Sequence, residues 1–315
     1  MAPVPHLDRR LVVVTGKGGT GKSTVAAALA LLAARQGKRV LVAEVNATER
    51  VAPLLGAPPA GPVVREARPG LFTVDVTPAA ALREYGLQVV RFQAIYDAVF
   101  ENRVVRHFLR VVPGLGELVM LGKILHEARA EVRGRPRWDQ VIIDAPATGH
   151  AVQLLRVPGA MLGMVPPGPL RADAQWMQEL LIDPARTAAV LVTLPEEMPV
   201  TEAIELDQQL RERVGMEPAA VLVNAMPARR FTAAQVERLA PLAATPGPVG
   251  PAARSARLLA VRSGAAEREL ARLRAALPIP TALLPLVASV GWGTAEVERI
   301  ADALSGVDGR SPWLD

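Results

Sequence analysis

Ten residues near the start of the chain, Thr15-Gly-Lys-Gly-Gly-Thr-Gly-Lys-Ser-Thr24, carry the clearest chemistry in the sequence. The chain has four lysines, Lys17, Lys22, Lys38 and Lys123, and two of them stand five residues apart in this loop. Gly16 to Ser23 satisfies G-x-x-x-x-G-K-[ST], a pattern in which glycines let successive backbone N–H groups curl around phosphate oxygens. Gly16, Gly18, Gly19 and Gly21 shape such a loop, with Lys17 and Thr20 between them and Ser23 and Thr24 opening a helix. The N-terminus of that helix adds partial positive charge. Lys22 then reaches the β- and γ-phosphates, and the Ser23 hydroxyl suits a Mg²⁺ ligand.

A phosphate loop works only between a strand and a helix, and the flanks supply both. LVVVT, Leu11 to Thr15, is an apolar run of strand length, and Ser23 to Arg35 is an alanine- and leucine-rich helix that Gly37 stops. Further strand-length runs are Arg39 to Val45, Leu71 to Val76, Gln140 to Asp144, Ala188 to Leu194, Ala219 to Ala225 and Ile279 to Leu286. Near-continuous β-branched runs separated by helical stretches predict a doubly wound α/β fold with a mainly parallel sheet covered on both faces. One domain over residues 1–315 is expected. It is interrupted at about 78–133 by a helical insertion without strands, with a joint near Pro113 and a stripe of Phe92, Tyr96, Phe100, Val104 and Phe108 at four-residue spacing. Residues after Ser305 read as a loose tail.

Composition excludes several classes. Half of the 315 residues are apolar, which sets the chain apart from disordered proteins. The absence of cysteine excludes disulfides and thiolate metal sites, and the four histidines show no ligand spacing. The longest apolar run, VAAALALLAA from Val25, falls short of the roughly 18 residues of a membrane span, and the first residues lack a signal-peptide core. These features point to a cytoplasmic protein. The net charge of +5 comes largely from dispersed arginines, better read as a solvated surface than as a nucleic-acid site. The densest cluster, Arg254 to Arg274, reads as an exposed helix face.

The loop form K-G-G-x-G-K-[ST], with Lys17 as its early lysine, resembles the deviant phosphate loop shared by ParA, MinD, the nitrogenase iron protein and the arsenite-pump ATPases. Three further stretches are similar to the arsenite-pump (ArsA) and tail-anchored-protein targeting (Get-type) branch. They are Asp144-Ala-Pro-Ala-Thr-Gly-His150, like that family's switch II; Leu194 to Leu206, like its P-E-x-x-x-x-x-E segment; and VLVNAM, with Asn224 at the adenine-binding asparagine. The resemblance implies a P-loop ATPase with ATP or ADP and Mg²⁺ as cofactors. It implies a homodimer, or a heterodimer with a related ATPase, across which Lys17 reaches the partner's nucleotide. Asp144 joins Ser23 in holding Mg²⁺, Gly149 reports the γ-phosphate, and Asn224 reads adenine. It also implies a hydrophobic protein client or membrane-protein partner, for which the aromatic stripe, the Leu118 to Leu121 patch and the methionine-bearing segment Ala160 to Leu181 are candidate surfaces.

The sequence departs from the family where hydrolysis is concerned. Asn46 stands where the family has an aspartate beside the attacking water. Phosphoryl transfer demands mostly positioning, so an amide there is compatible with slow hydrolysis. Glu44, two residues back, is a second candidate, and a chain that leaves hydrolysis to a partner subunit is the third. A ParA/MinD-type positioning ATPase and a non-hydrolysing regulatory subunit are the alternative readings.

Overall fold

The computed structural model of the protein describes residues 7–46, 48–90, 114–306 and 313–314. Along the chain, β1 (Leu11–Gly16) leads into α1 (Lys22–Arg35), β2 (Val40–Val45), the single-turn α2 (Val51–Leu54), β3 (Arg65–Arg68) and β4 (Leu71–Val76). Helices α3 (Pro78–Val90) and α4 (Leu115–Arg129) follow, then the two-residue strands β5 (Glu131–Val132) and β6 (Arg135–Pro136), and β7 (Gln140–Asp144). The rest of the chain forms α5 (Thr148–Met164), α6 (Pro169–Ile182), β8 (Thr187–Thr193), α7 (Glu197–Gln209) and β9 (Pro218–Met226). It closes with α8 (Ala233–Leu239), α9 (Val249–Ala276), β10 (Thr281–Pro285), α10 (Thr294–Ser305) and β11 (Trp313–Leu314).

The main sheet has the order β11-β10-β9-β8-β1-β7-β2-β4-β3. Every pair from β10 to β4 is parallel, and the edge strands β11 and β3 are antiparallel to their neighbours. This is the doubly wound α/β fold of the P-loop NTPases. Side chains alternate across each strand, so Val12, Val14, Val42, Ile142 and Val190 join one core with α1 and α10. Leu11, Val13, Ala43, Ile143 and Leu191 join the opposite core with α4, α5, α6 and α7. Helix α1 is apolar all round and buries every residue from Val25 to Ala33, as a helix at the centre of a layer must.

The structure corrects several expectations. The stretch expected to hold no strand ends in the β5–β6 hairpin, whose tip residues Arg133 and Gly134 take positive φ. The tail after Ser305 contributes β11, which pairs with Thr281 and Ala282 of β10. Leu118, Val119, Met120 and Leu121, considered as a client surface, are buried in the core beneath α4. In the methionine-bearing segment Met177 is buried, Met161 and Trp176 pack partly against the core, and Met164 is exposed. The aromatic stripe from Phe92 to Phe108 and the joint at Pro113 lie outside the described residues.

Candidate phosphate-binding site

Strand β1 runs between β7 and β8, and its last residue, Gly16, lies against β8. A Cβ there would stand 2.1 Å from the Val192 carbonyl oxygen, so only glycine lets the chain leave the sheet at this point. Gly19 and Gly21 take φ of 86° and 90°, values that favour glycine at both turns of the loop. Gly18 faces Ala147, whose Cβ is 3.9 Å from the position a Gly18 Cβ would take. Helix α1 starts after Gly21 with no side-chain cap and no acidic residue in its first turn. Its leading N–H groups therefore lack a side-chain acceptor, which suits an anion.

Both loop lysines are engaged within the chain. The Lys22 ammonium donates to the Lys17 carbonyl at 3.0 Å, and the Thr20 hydroxyl donates to the same oxygen at 2.9 Å. Lys17 itself donates to Glu202 Oε1 of α7 at 2.5 Å. Glu202 is the closing glutamate of the P-E-x-x-x-x-x-E segment, so that motif was legible but its pairing with Lys17 was not. Burial pushes the Lys22 ammonium below its ordinary pKa, opposed by the Asp144 charge and assisted by Arg50.

Asp144 closes β7 in register with Val14 of β1 on one side and Glu44 of β2 on the other, and Glu44 is in register with Asp75 of β4. Three carboxylates thus stand in a row along the carboxyl end of the sheet, on the α1 face. Asp144 and Glu44 are buried, and each leaves one carboxylate oxygen without a hydrogen-bond partner, Oδ1 and Oε2 respectively. Burial raises Asp144 to about 6, against the lowering effects of the Ser23 hydroxyl hydrogen bond, Lys22 and Arg50. Burial raises Glu44 to about 7, although its Oε1 accepts from the Arg50 and Val51 amides at 2.6 and 3.1 Å. Glu44 therefore secures the start of α2. The Ser23 hydroxyl beside a buried aspartate with a spare oxygen is a donor set that could hold Mg²⁺.

Asn46 has left the strand. Its φ is 46°, its amide donates to the Val76 carbonyl at 2.9 Å, and it is exposed just past the end of β2. The turn ends the alternation that would set it on the same face as Glu44. Gly149 lies exposed in the first turn of α5. Asn224, near the end of β9, donates from Nδ2 to the Thr20 carbonyl at 2.9 Å and accepts the Ala225 amide on Oδ1 at 2.9 Å.

A cleft of about 460 Å³ opens over Gly19, Gly21, Lys22, Ser23 and Thr24 and is walled by Glu49, Arg50, Pro53, Leu54 and Trp292. Its volume is in the range of small-ligand sites. Trp292, which arrives from the β10–α10 connection and is half exposed, and Arg50, whose charge acts on both Lys22 and Asp144, were not signalled by any sequence pattern. The structure thus gathers Gly16 to Thr24, Asp144 and Asn224 at one end of the sheet, with Asn46 just past β2 and Gly149 in the first turn of the helix after β7. No helix among the described residues is long and apolar enough to cross a membrane.

Comparison with known proteins agrees with this geometry. Residues 9–165 match the family model of the anion-transporting ATPases, ArsA_ATPase. The ATPase BagA of Mycobacterium tuberculosis is 33% identical over 229 residues, covering 68% of this chain and 64% of that protein. An arsenical pump-driving ATPase of Acidiphilium multivorum is 27% identical over 231 residues, covering 67% of this chain and 38% of the pump ATPase. The arsenical pump-driving ATPase of Escherichia coli is 26% identical over 230 residues, with the same 38% of its length covered. The chain therefore spans less than two thirds of the length of these relatives.

Proposed function

Because this chain belongs to the ArsA-type anion-transporting ATPase family, we propose that it is an ATP-binding switch protein that hydrolyses ATP slowly and works as a dimer. The observation that carries this reading is the phosphate loop itself. An uncapped helix N-terminus, Lys22, and a Ser23 hydroxyl bonded to a buried Asp144 converge at the carboxyl end of a parallel sheet, where open α/β sheets bind ligands. On nucleotide binding Lys22 exchanges the Lys17 carbonyl for phosphate oxygens. Ser23 and Asp144 would hold Mg²⁺, and that ion would supply neutralisation of phosphate charge. Asn46, exposed just past the end of β2, orients the attacking water through its amide, which positions a nucleophile without accepting its proton strongly. Gly149, in the first turn of α5, follows the γ-phosphate. Lys17 leaves Glu202 and reaches the nucleotide of a second subunit, a homologous chain or a copy of this one.

A hydrophobic protein client or a membrane-protein partner would read the nucleotide state. Support for such a surface comes from a second cavity of about 520 Å³ beside the start of α4, lined by Val157, Ala160, Met161 and Met164 with Glu117 and Arg156 at its edge. Exposed Asn46 with left-handed backbone favours a second reading, a regulatory subunit that binds ATP and leaves hydrolysis to its partner.

Steady-state ATP turnover by the purified chain, with Lys22→Ala as background and Asn46→Asp alongside, separates the two. Turnover above the Lys22→Ala background, raised by Asn46→Asp, is the expected result. A silent wild type that binds ATP, with an active Asn46→Asp variant, would establish the regulatory subunit instead.

A further inference from the structure

We propose that Asn224 is a positioning residue that holds the phosphate loop in its binding conformation, a role separate from the adenine contact implied by the family resemblance; the proposal rests on the ATP-binding reading above. Four observations carry it. Nδ2 of Asn224 donates to the carbonyl of Thr20, inside the loop, from a strand 204 residues further along the chain. Oδ1 accepts the amide of Ala225, so the side chain is anchored at its other end to its own strand. Gly21 packs against the same amide group: a Cβ at Gly21 would stand 2.3 Å from Asn224 Nδ2. Ala225 takes a φ of 54°, a left-handed conformation that disfavours a non-glycine residue.

The peptide between Thr20 and Gly21 is planar and trans, so its carbonyl and its N–H point in opposite directions. A hydrogen bond that fixes the Thr20 carbonyl toward β9 therefore turns the Gly21 N–H away from β9. Gly21 is the last residue before α1, where loop N–H groups serve an anion. Asn224 thus sets the direction of one loop donor through the opposite end of the same peptide. An amide has a second N–H and a second acceptor lone pair, so this clamp does not need the base and is made without it.

The test compares ATP with inorganic tripolyphosphate, a probe that has phosphates and no base. Both are titrated calorimetrically in the presence of Mg²⁺ into the full chain and its Asn224→Ala variant, with melting temperature and circular dichroism as folding controls. The expected result is a loss of roughly tenfold in affinity for both probes by a comparable factor, in line with losing a hydrogen bond and leaving a carbonyl unpartnered. A loss confined to ATP would overturn the proposal and leave Asn224 as a base reader; unchanged binding of both would overturn it as well. If the alanine variant does not fold, Asn224→Asp keeps the shape and the acceptor for the Ala225 amide. Its losses for ATP and tripolyphosphate are expected to stand in a ratio near one, and a ratio well above one overturns the clamp. A folded wild type that binds neither probe would overturn the ATP-binding reading and the clamp with it, a result distinct from the ATP-only loss.

Discussion

Glu44 is an expensive residue to bury, and its surroundings state which protonation form the fold accepts. Its Oε1 takes two backbone amides, its Oε2 has no partner, and Asp144 and Asp75 are its register neighbours. Burial raises it from 4.5 to about 7. The native state therefore binds more protons than the unfolded state between those values, and stability falls as pH rises through that window. The contribution is complete below 4.5 and lost above about 7, by roughly 3 kcal/mol at most. Asp144 and Asp75, both raised by burial, act with the same sign. Melting curves of the nucleotide-free protein from pH 5 to pH 8 should show Glu44→Gln gaining on the wild type as pH rises. Parallel curves would mean that Glu44 stays ionised in the native state. Residues of this kind mark the limit of what the sequence discloses. The lysines, glycines and Ser23 of the loop are a contiguous pattern with its own physics, and Asp144 ends an apolar run. Glu44 is a candidate beside Asn46 in the sequence, but that it stands in register with Asp144 is visible only in the fold. Trp292 and Arg50 reach the cleft from connections with no pattern of their own.

At the scale of elements, the parallel strands were legible because both faces of each are buried, which leaves near-continuous apolar runs. The edge strands were not, for a reason of the opposite kind. β3 is Arg-Glu-Ala-Arg with exposed or half-buried side chains, and charged, short edges are how sheets avoid further pairing. β11 is two residues long. Helix α4 misled in the other direction. Its Leu118 to Leu121 patch has the composition of a binding surface but is the part that seats the helix on the sheet. At the site, the end of β1 passes too close to β8 at Gly16 for a side chain to fit. Gly16→Ala places a methyl at 2.1 Å from the Val192 carbonyl on a backbone with φ of 150°, so strand separation or strain must follow. A loss of about 3 kcal/mol in the urea midpoint stability is expected, together with loss of ATP binding as the loop shifts. A change below about 0.5 kcal/mol, the scale of an ordinary surface substitution, would show that β8 yields without cost.

For the molecule as a whole, the proposed dimer turns on what Lys17 does within a single chain. The Lys17–Glu202 pair joins the phosphate loop to α7, with the two side chains 32% and 28% exposed. A half-exposed pair of this kind contributes on the order of 0–1 kcal/mol, too little to hold the fold but comparable with a modest shift in a dimerisation equilibrium. Directed at Glu202 of its own chain, the Lys17 side chain is turned away from the partner's nucleotide, so in the proposed dimer the intrachain pair competes with that contact. Removing the Glu202 charge should leave the melting temperature nearly unchanged and strengthen nucleotide-dependent association. Sedimentation of Glu202→Gln against wild type, each with Mg²⁺ and either ATP or ADP with aluminium fluoride, should show roughly two- to fivefold tighter association, the fold-change that matches such a pair. The double variant Lys17→Ala/Glu202→Gln should lose the gain, because the glutamate acts only through the lysine. A gain that survives removal of Lys17 would place the effect in α7 itself, and weaker association of Glu202→Gln would mean that Glu202 serves the dimer directly.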